Sequence, residues 1–251
     1  METAKVIPCL DIKDGRVVKG VKFVNLRDAR DPAQAAAAYC QQGADEVVFL
    51  DIAASVEKRK TRLEWVKKVV KAVTVPFTVG GGIGSLDDMK ALFDLGVAKV
   101  SINTAAVRNP DLIEEAADTF GPDRIVVAID AEKGENGFEV LISGGTRRAG
   151  LELVEWAKQV EDLGAGEILL TSKDADGVQT GYDIPMTKAV ADAVTIPVTA
   201  SGGCGKLEHM AAVLLEGHAT NVLAASVFHF GTLTVRQAKE YLKSQGIPVR
   251  L

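Results

Sequence analysis

The sequence is poor in the residues that build disulfide frameworks and metal sites. It has three cysteines and three histidines in 251 residues. Cys9, Cys40 and Cys204 are odd in number and form no C-x-x-C pair, which argues for a reducing compartment and against disulfides or zinc. His209, His218 and His229 show no metal-ligand spacing. Also missing is a basic excess: the net charge is -5, so nothing points to nucleic acid or an anionic membrane. Individual basic residues beside a pocket still suffice to hold phosphates. No apolar run reaches the roughly 18 residues of a membrane span, and no signal peptide opens the chain. These absences predict a cytoplasmic protein acting on a small molecule without a metal or cofactor.

What is present is an alternation. Hydrophobic residues make up 47% of the chain and charged residues 25%, the mix of a globular protein with a large core. Apolar, β-branched runs recur at 5–11, 46–51, 76–80, 98–103, 124–130, 167–172, 196–201 and 220–225. They are nearly continuously apolar, as parallel strands buried on both faces are. Helix signals fill the gaps. Asp31-Pro32 and Asn109-Pro110 set a capping side chain before proline, Ser85 and Asp88 have capping-box spacing, and Gly43, Gly96 and Gly164 end helices. Eight strands alternating with helices predict one α/β domain over 1–251, a single (β/α)8 TIM barrel. Its strand-to-helix connections 12–30 and 131–149 are long, and FEVLIS (138–143) within the second predicts a hairpin. Active sites of such barrels gather where strands end.

The chain also repeats itself. Asp11 and Asp130 close equivalent strands at an offset of 119 residues. EVVFLDI (46–52) aligns with EILLTSK (167–173) and FTVGGGI (77–83) with VTASGGC (198–204), both at 121. KVSINTAAV (99–107) and NVLAASVF (221–228) align at 122. So constant an offset reads as a two-fold half-barrel repeat, about 1–120 and 121–251, with equivalent sites facing each other across one mouth.

Each half carries an anion-binding signature. Gly80-Gly81-Gly82 and Gly202-Gly203 let backbone N–H groups approach an anion closely. Asn103-Thr104 and Ala225-Ser226 follow them at short helix starts. A lone glycine cluster would be an ordinary tight turn, but two in symmetric positions predict a ligand with a phosphate at each end. Between them stand Asp11 and Asp130, which can divide acid and base roles if their environments differ. Asp51, at another strand end, reads as a cap on the loop that follows. At the opposite end Lys5, Glu46, Lys99 and Glu167 mark strand starts with alternating charge. Taken alone these are ordinary solvated features, although the alternation permits a closed salt-bridge layer.

Nine motifs together resemble the cyclase subunit of imidazole glycerol phosphate synthase, from histidine biosynthesis. They are PCLDIKDGRVVKG (8–20), VFLDIAASVEKRKT (48–61), VGGGI (79–83), KVSINTAAV (99–107), VAIDA (127–131), GAGEILLTS (164–172), DADGVQTGYD (174–183), ASGG-GKLEH (200–209) and LAASVFHF (223–230). The resemblance spans essentially the whole chain. It implies a lyase in which ammonia enters the barrel and attacks a phosphoribulosyl-formimino aminoimidazole carboxamide ribonucleotide. The products implied are imidazole glycerol phosphate and aminoimidazole carboxamide ribonucleotide. It makes Asp11 and Asp130 the general acid/base pair and Lys19 a mobile-loop residue closing over substrate. Gly82, Asn103 and Thr104 match one phosphate site; Asp176, Gly177, Gly203, Ala225 and Ser226 match the other. The ring of Lys5, Glu46, Lys99 and Glu167 becomes a gate for ammonia from a partner glutaminase, in a heterodimer.

The sequence departs from the family at one place above all. Thr171-Ser172-Lys173-Asp174-Ala175-Asp176-Gly177-Val178-Gln179 lacks an arginine, a hydroxyl and a lysine usual there. Each such loss weakens binding by about 1–3 kcal/mol where the group made a charged or buried hydrogen bond. Ala98 replaces an aspartate that faces the glutaminase in relatives, Ala53 replaces a common threonine, and SGGTRRAG (143–150) replaces a lysine-rich loop. Lys173 reads in two ways: a Schiff-base nucleophile in the mouth, or a cation that snorkels to solvent or pairs with Asp174 or Asp176. The alternatives kept open are therefore the sister isomerase of the same pathway, a silent scaffold for the glutaminase, and a barrel repurposed for amine chemistry.

Overall fold

A computed structural model describes residues 3–21, 24–135 and 137–251, with the backbone alone for 19–21 and 24–30. The chain runs β1 (Val6–Lys13), β2 (Arg16–Val21), β3 (Val24–Arg30), α1 (Pro32–Gln41), β4 (Val47–Asp51), α2 (Leu63–Val70), β5 (Phe77–Gly80) and α3 (Leu86–Phe93). It continues through β6 (Lys99–Ile102), α4 (Thr104–Arg108), α5 (Asp111–Phe120), β7 (Ile125–Lys133), β8 (Phe138–Ile142), β9 (Arg147–Glu152) and α6 (Leu153–Asp162). The last third holds β10 (Glu167–Ser172), α7 (Ile184–Ala191), β11 (Val198–Ser201), α8 (Leu207–Leu215), β12 (Asn221–Ala224), α9 (Ser226–His229) and α10 (Val235–Ser244).

Eight of these strands form the barrel. In order they are β1, β4, β5, β6, β7, β10, β11 and β12, all parallel, and β12 returns to β1. This is the (β/α)8 TIM barrel expected, with each anticipated apolar run supplying one strand. Helices pack their buried stripes on the outer faces, so the main core lies between the strands and the helix layer. A second, smaller apolar cluster fills the barrel interior: Ile7, Cys9, Val48, Val126, Leu169 and Leu223 are at most 4% exposed.

Both long connections turn out to be antiparallel hairpins. β2 and β3 continue from β1, and β8 and β9 continue from β7. FEVLI (138–142) forms only one strand, β8, of the hairpin expected there, and the two hairpins follow β1 and β7. The expected caps hold at two positions. Asp31 accepts hydrogen bonds from the N–H groups of Ala33 and Gln34, and Ser85 accepts one from Asp88. At Asn109 the expectation fails. That residue ends α4, and α5 starts after Pro110 without a side-chain cap. Gly43, Gly96 and Gly164 end helices with φ of 84°, 97° and 88°. Among the described residues no helix is long and apolar enough to cross a membrane.

Candidate active site

The strand ends open into a cavity of about 1120 Å³, lined by residues from all eight barrel strands or the connections after them. Asp11 and Asp130 both line it, as the half-barrel repeat requires. Strand geometry places them. Asp11 lies opposite Leu50 of β4, and Asp130 lies opposite Thr171 of β10, each one inward step beyond the apolar interior. Asp11 is 9% exposed and accepts a hydrogen bond from the Cys9 thiol at 3.4 Å.

The environment of Asp130 sets its proton affinity. Loss of hydration pushes its carboxyl up to about 7, and the negative charges of Asp176 and Asp11 push the same way. Two groups oppose this: Asn103 donates a hydrogen bond to Asp130 Oδ2 at 3.0 Å, and the Lys173 ammonium adds a positive field. Near neutral pH Asp130 therefore carries a proton for much of the time. That is the condition for a general acid.

The two expected phosphate cradles match in backbone conformation. Gly81 and Gly82 have φ of 92° and 75°; Gly202 and Gly203 have 90° and 100°. Asn103 and Ala225, at the starts of α4 and α9, share an unusual backbone: φ −129°, ψ −87° and φ −122°, ψ −69°. Gly82, Asn103 and Thr104 meet on one side of the mouth. On the other, Gly177, Gly203, Ala225 and Ser226 meet beside Asp176, which is 5% exposed. Glycine is obligatory at these corners. A Cβ on Gly203 would collide with the Gly181 carbonyl, and one on Gly82 would lie 2.7 Å from the Arg59 carbonyl oxygen. The expectation for the Lys19 side chain lies outside the described residues.

The cradles differ in what surrounds them. Arg59 and Lys60, from the connection after β4, and Arg108, from α4, line the cavity on the Gly82 side. Sequence reasoning gave Asp51 a capping role. It is instead a buried ion-pair partner, 1% exposed, gripped by both terminal nitrogens of Arg59. Its position at a strand end, like those of Asp11 and Asp130, was the available signal. Thr61 Oγ1 donates to the Gly81 carbonyl, tying the same connection to the cradle.

Lys173 faces the mouth, and its partner is neither Asp174 nor Asp176. Its ammonium lies 3.0 Å from Glu132 Oε2. Asp174 instead accepts from the Lys133 N–H at 3.0 Å.

The opposite end of the barrel carries the charged ring. Lys99 bridges Glu46 at 3.0 Å and Glu167 at 2.7 Å, and Lys5 reaches Glu46 at 3.6 Å. The ion pairs form an arc, and neutral groups complete the circuit. Glu167 accepts from Thr199 at 2.6 Å, Thr199 accepts from Asn221 at 3.1 Å, and Asn221 accepts from the Lys5 N–H at 3.1 Å. Among the described residues no group of three or more His, Cys, Asp or Glu is placed to hold a metal ion. A family model described as histidine biosynthesis protein matches residues 5–234.

Proposed function

The chain belongs to the histidine biosynthesis protein family, and from that premise we propose that it is the ammonia-dependent cyclase of the pathway. The family contains both this cyclase and the sister isomerase. Both reactions fit a mouth with paired aspartates and two phosphate cradles. The observation that favours the cyclase is the axis through the barrel: a polar ring at the bottom, an apolar interior, and the carboxylates beyond it. In this reading neutral ammonia crosses the apolar interior and ammonium is penalised, since burying an unpaired charge costs far more than burying a small neutral molecule. An isomerase has no use for a nitrogen donor delivered from the far end.

In this reading Gly82, Asn103 and Thr104 hold one phosphate, and Asp176, Gly177, Gly203, Ala225 and Ser226 frame the other. Lys19 closes over the substrate. Asp130, about half protonated near pH 7, donates a proton as cyclisation cleaves the substrate, and Asp11 accepts one from the attacking nitrogen. Lys5, Glu46, Lys99 and Glu167 admit ammonia from a glutaminase docked below. The Lys173 nitrogen is taken up by the ion pair with Glu132 at 3.0 Å, which argues against a Schiff-base role for it.

The test is turnover of the ribulosyl substrate with ammonium salt at high pH, followed by loss of substrate absorbance, beside conversion of the pathway's preceding aldose. Cyclase activity lost in Asp11→Asn and in Asp130→Asn is the expected result. Inactivity of the wild type at saturating ammonia, or conversion of the aldose alone, would sink the reading.

A further inference from the structure

The half-barrel repeat places the same backbone tie in both halves but makes it with different side chains. In the first half the Gly84 N–H donates to Asp88 Oδ2 at 3.2 Å. At the offset of 121 residues the Gly205 N–H donates to His209 Nδ1 at 3.1 Å. Each bond joins the connection leaving a glycine corner, Gly82 or Gly203, to the first turn of the helix that follows, α3 or α8. The surroundings then diverge. Lys60 lies 2.6 Å from Asp88 and balances its charge. The residue at the matched position is Gly181, which lies against the imidazole: a Cβ there would stand 3.8 Å from His209 Cδ2. A neutral ring thus replaces a carboxylate–ammonium pair.

The ring has less help than its counterpart. In the first half Ser85 makes a second tie by accepting from the Asp88 N–H at 3.2 Å. α8 starts after Lys206 with no side-chain cap. The Gly203 corner is also pinned on its other flank, where the Gly181 N–H donates to the Gly203 carbonyl at 2.9 Å. His209 therefore closes a circuit: it holds Gly205, two residues on Gly203 is held by Gly181, and Gly181 packs on His209. The backbone is close here too, since a Cβ on Gly205 would collide with the Gln179 carbonyl.

The chemistry of the ring suits the place. A nitrogen that accepts from a backbone N–H carries no proton, so the imidazole proton sits on Nε2. Burial and the Lys206 charge, opposed by Glu208, hold this histidine below its ordinary proton affinity, which favours the accepting form. A carboxylate at this position, with no lysine beside it, would set an unbalanced negative charge behind a corner meant for an anion.

We infer that His209 is a positioning residue for the Gly203 phosphate cradle, its neutral ring holding the Gly205 N–H so that the corner keeps the shape that receives an anion. The inference rests on the reading of that corner as a phosphate site.

The full chain, labelled with 15N, is titrated with inorganic phosphate at pH 8. Amide shifts of Gly203 and Gly205 report one corner, and those of Gly82 and Gly84 serve as the internal control. His209→Ala and His209→Phe both remove the acceptor, and the second keeps a ring beside Gly181. In each, exchange of the Gly205 N–H with solvent speeds up and phosphate affinity at Gly203 falls about three- to tenfold, the worth of one hydrogen bond. Affinity at Gly82 stays unchanged. His209→Asn, whose Oδ1 takes the place of Nδ1, restores both readouts. Undiminished affinity at Gly203 in the alanine variant, equal loss at the two corners, or recovery in the phenylalanine variant but not the asparagine variant overturns the inference alone. Phosphate that moves the Gly82 amides of the wild type but not those of Gly203 would sink the cradle reading, and the inference with it. Circular dichroism reports the fold of each variant.

Discussion

Asn103 donates one side-chain N–H to Asp130 Oδ2 at 3.0 Å, while its buried carbonyl oxygen has no hydrogen-bond partner among the described residues. A buried acceptor left unpaired costs about 1–3 kcal/mol. Such a cost is maintained where an incoming donor relieves it, and this oxygen lies in the wall of the mouth. One amide thus couples the proton affinity of Asp130 to the contents of the cavity.

Replacing Asn103 by alanine removes the donor that favours the ionised carboxyl. A hydrogen bond to a charged group contributes about 1.5–3 kcal/mol, so the Asp130 midpoint should rise by about one to two pH units. Any rate limb governed by ionisation of Asp130 should move to higher pH with it. Recording the pH–rate profile with ammonium as nitrogen donor checks this, and an unmoved limb would make Asn103 a packing residue only.

Asp130 should also destabilise the fold when ionised. Its folded value of about 7 lies above the ordinary 3.8, so the folded state binds the proton more tightly than the unfolded one. Stability is therefore unaffected below the lower value and falls as pH rises through this window. The loss amounts to at most about 4 kcal/mol above pH 7. Asp130→Asn should raise resistance to urea at pH 8, leave it nearly unchanged at pH 4, and abolish activity at both. Equal urea midpoints for the two proteins at pH 8 would mean that the carboxyl is not desolvated.

The barrel was legible in the sequence because its signals are local and repeated: apolar runs of strand length, glycines at helix ends, and a constant offset. The matched glycine corners were legible for the same reason, since glycine types at matched positions report backbone shape. What stayed hidden depends on long-range pairing. Nothing near Asp51 in sequence distinguishes a loop cap from the buried partner of Arg59, eight residues away. Lys173 has two aspartates as near neighbours in sequence, yet the β7–β10 register gives it Glu132, forty-one residues away. The charged ring was visible as four residues, but its completion through Thr199 and Asn221 appears only once the barrel closes.

That ring makes a prediction about stability distinct from gating. Lys99 is the cation shared by Glu46, 2% exposed, and Glu167, 7% exposed. Lys99→Met leaves both carboxylates with their threonine partners, and Glu46 with the more distant Lys5 at 3.6 Å, but removes the cation that pairs with both. Removing one member of a buried pair costs about 3–5 kcal/mol, which a shift in the urea midpoint would report. A loss below about 1 kcal/mol would instead be the behaviour of a solvated surface pair. Under the proposed gate, glutamine-driven turnover with a glutaminase partner should fall more than turnover with free ammonium.

The two cradles should respond unequally to the same lesion. Gly203→Ala sets a methyl group against the Gly181 carbonyl, and the Gly181 N–H donates to the Gly203 carbonyl at 2.9 Å. The clash therefore pushes apart two connections that the same pair of residues holds together, and neither partner is a side chain that can rotate away. At Gly82 the nearest atoms, the Arg59 carbonyl, the Thr61 nitrogen and the Ala54 methyl, stand farther off, at 2.7–2.8 Å, than the Gly181 carbonyl would from a Cβ on Gly203. Gly203→Ala should thus cost more in thermal stability, by a few degrees for about 1 kcal/mol of difference in a chain of this size. Both substitutions add positive-φ strain of about 1–2 kcal/mol, so this shared term cancels in the comparison. Titration calorimetry with a substrate analogue bearing one phosphate should then show weaker binding in both variants. If only Gly82→Ala weakens it, the cationic side of the mouth alone holds phosphate, and the two-phosphate assignment would have to be withdrawn.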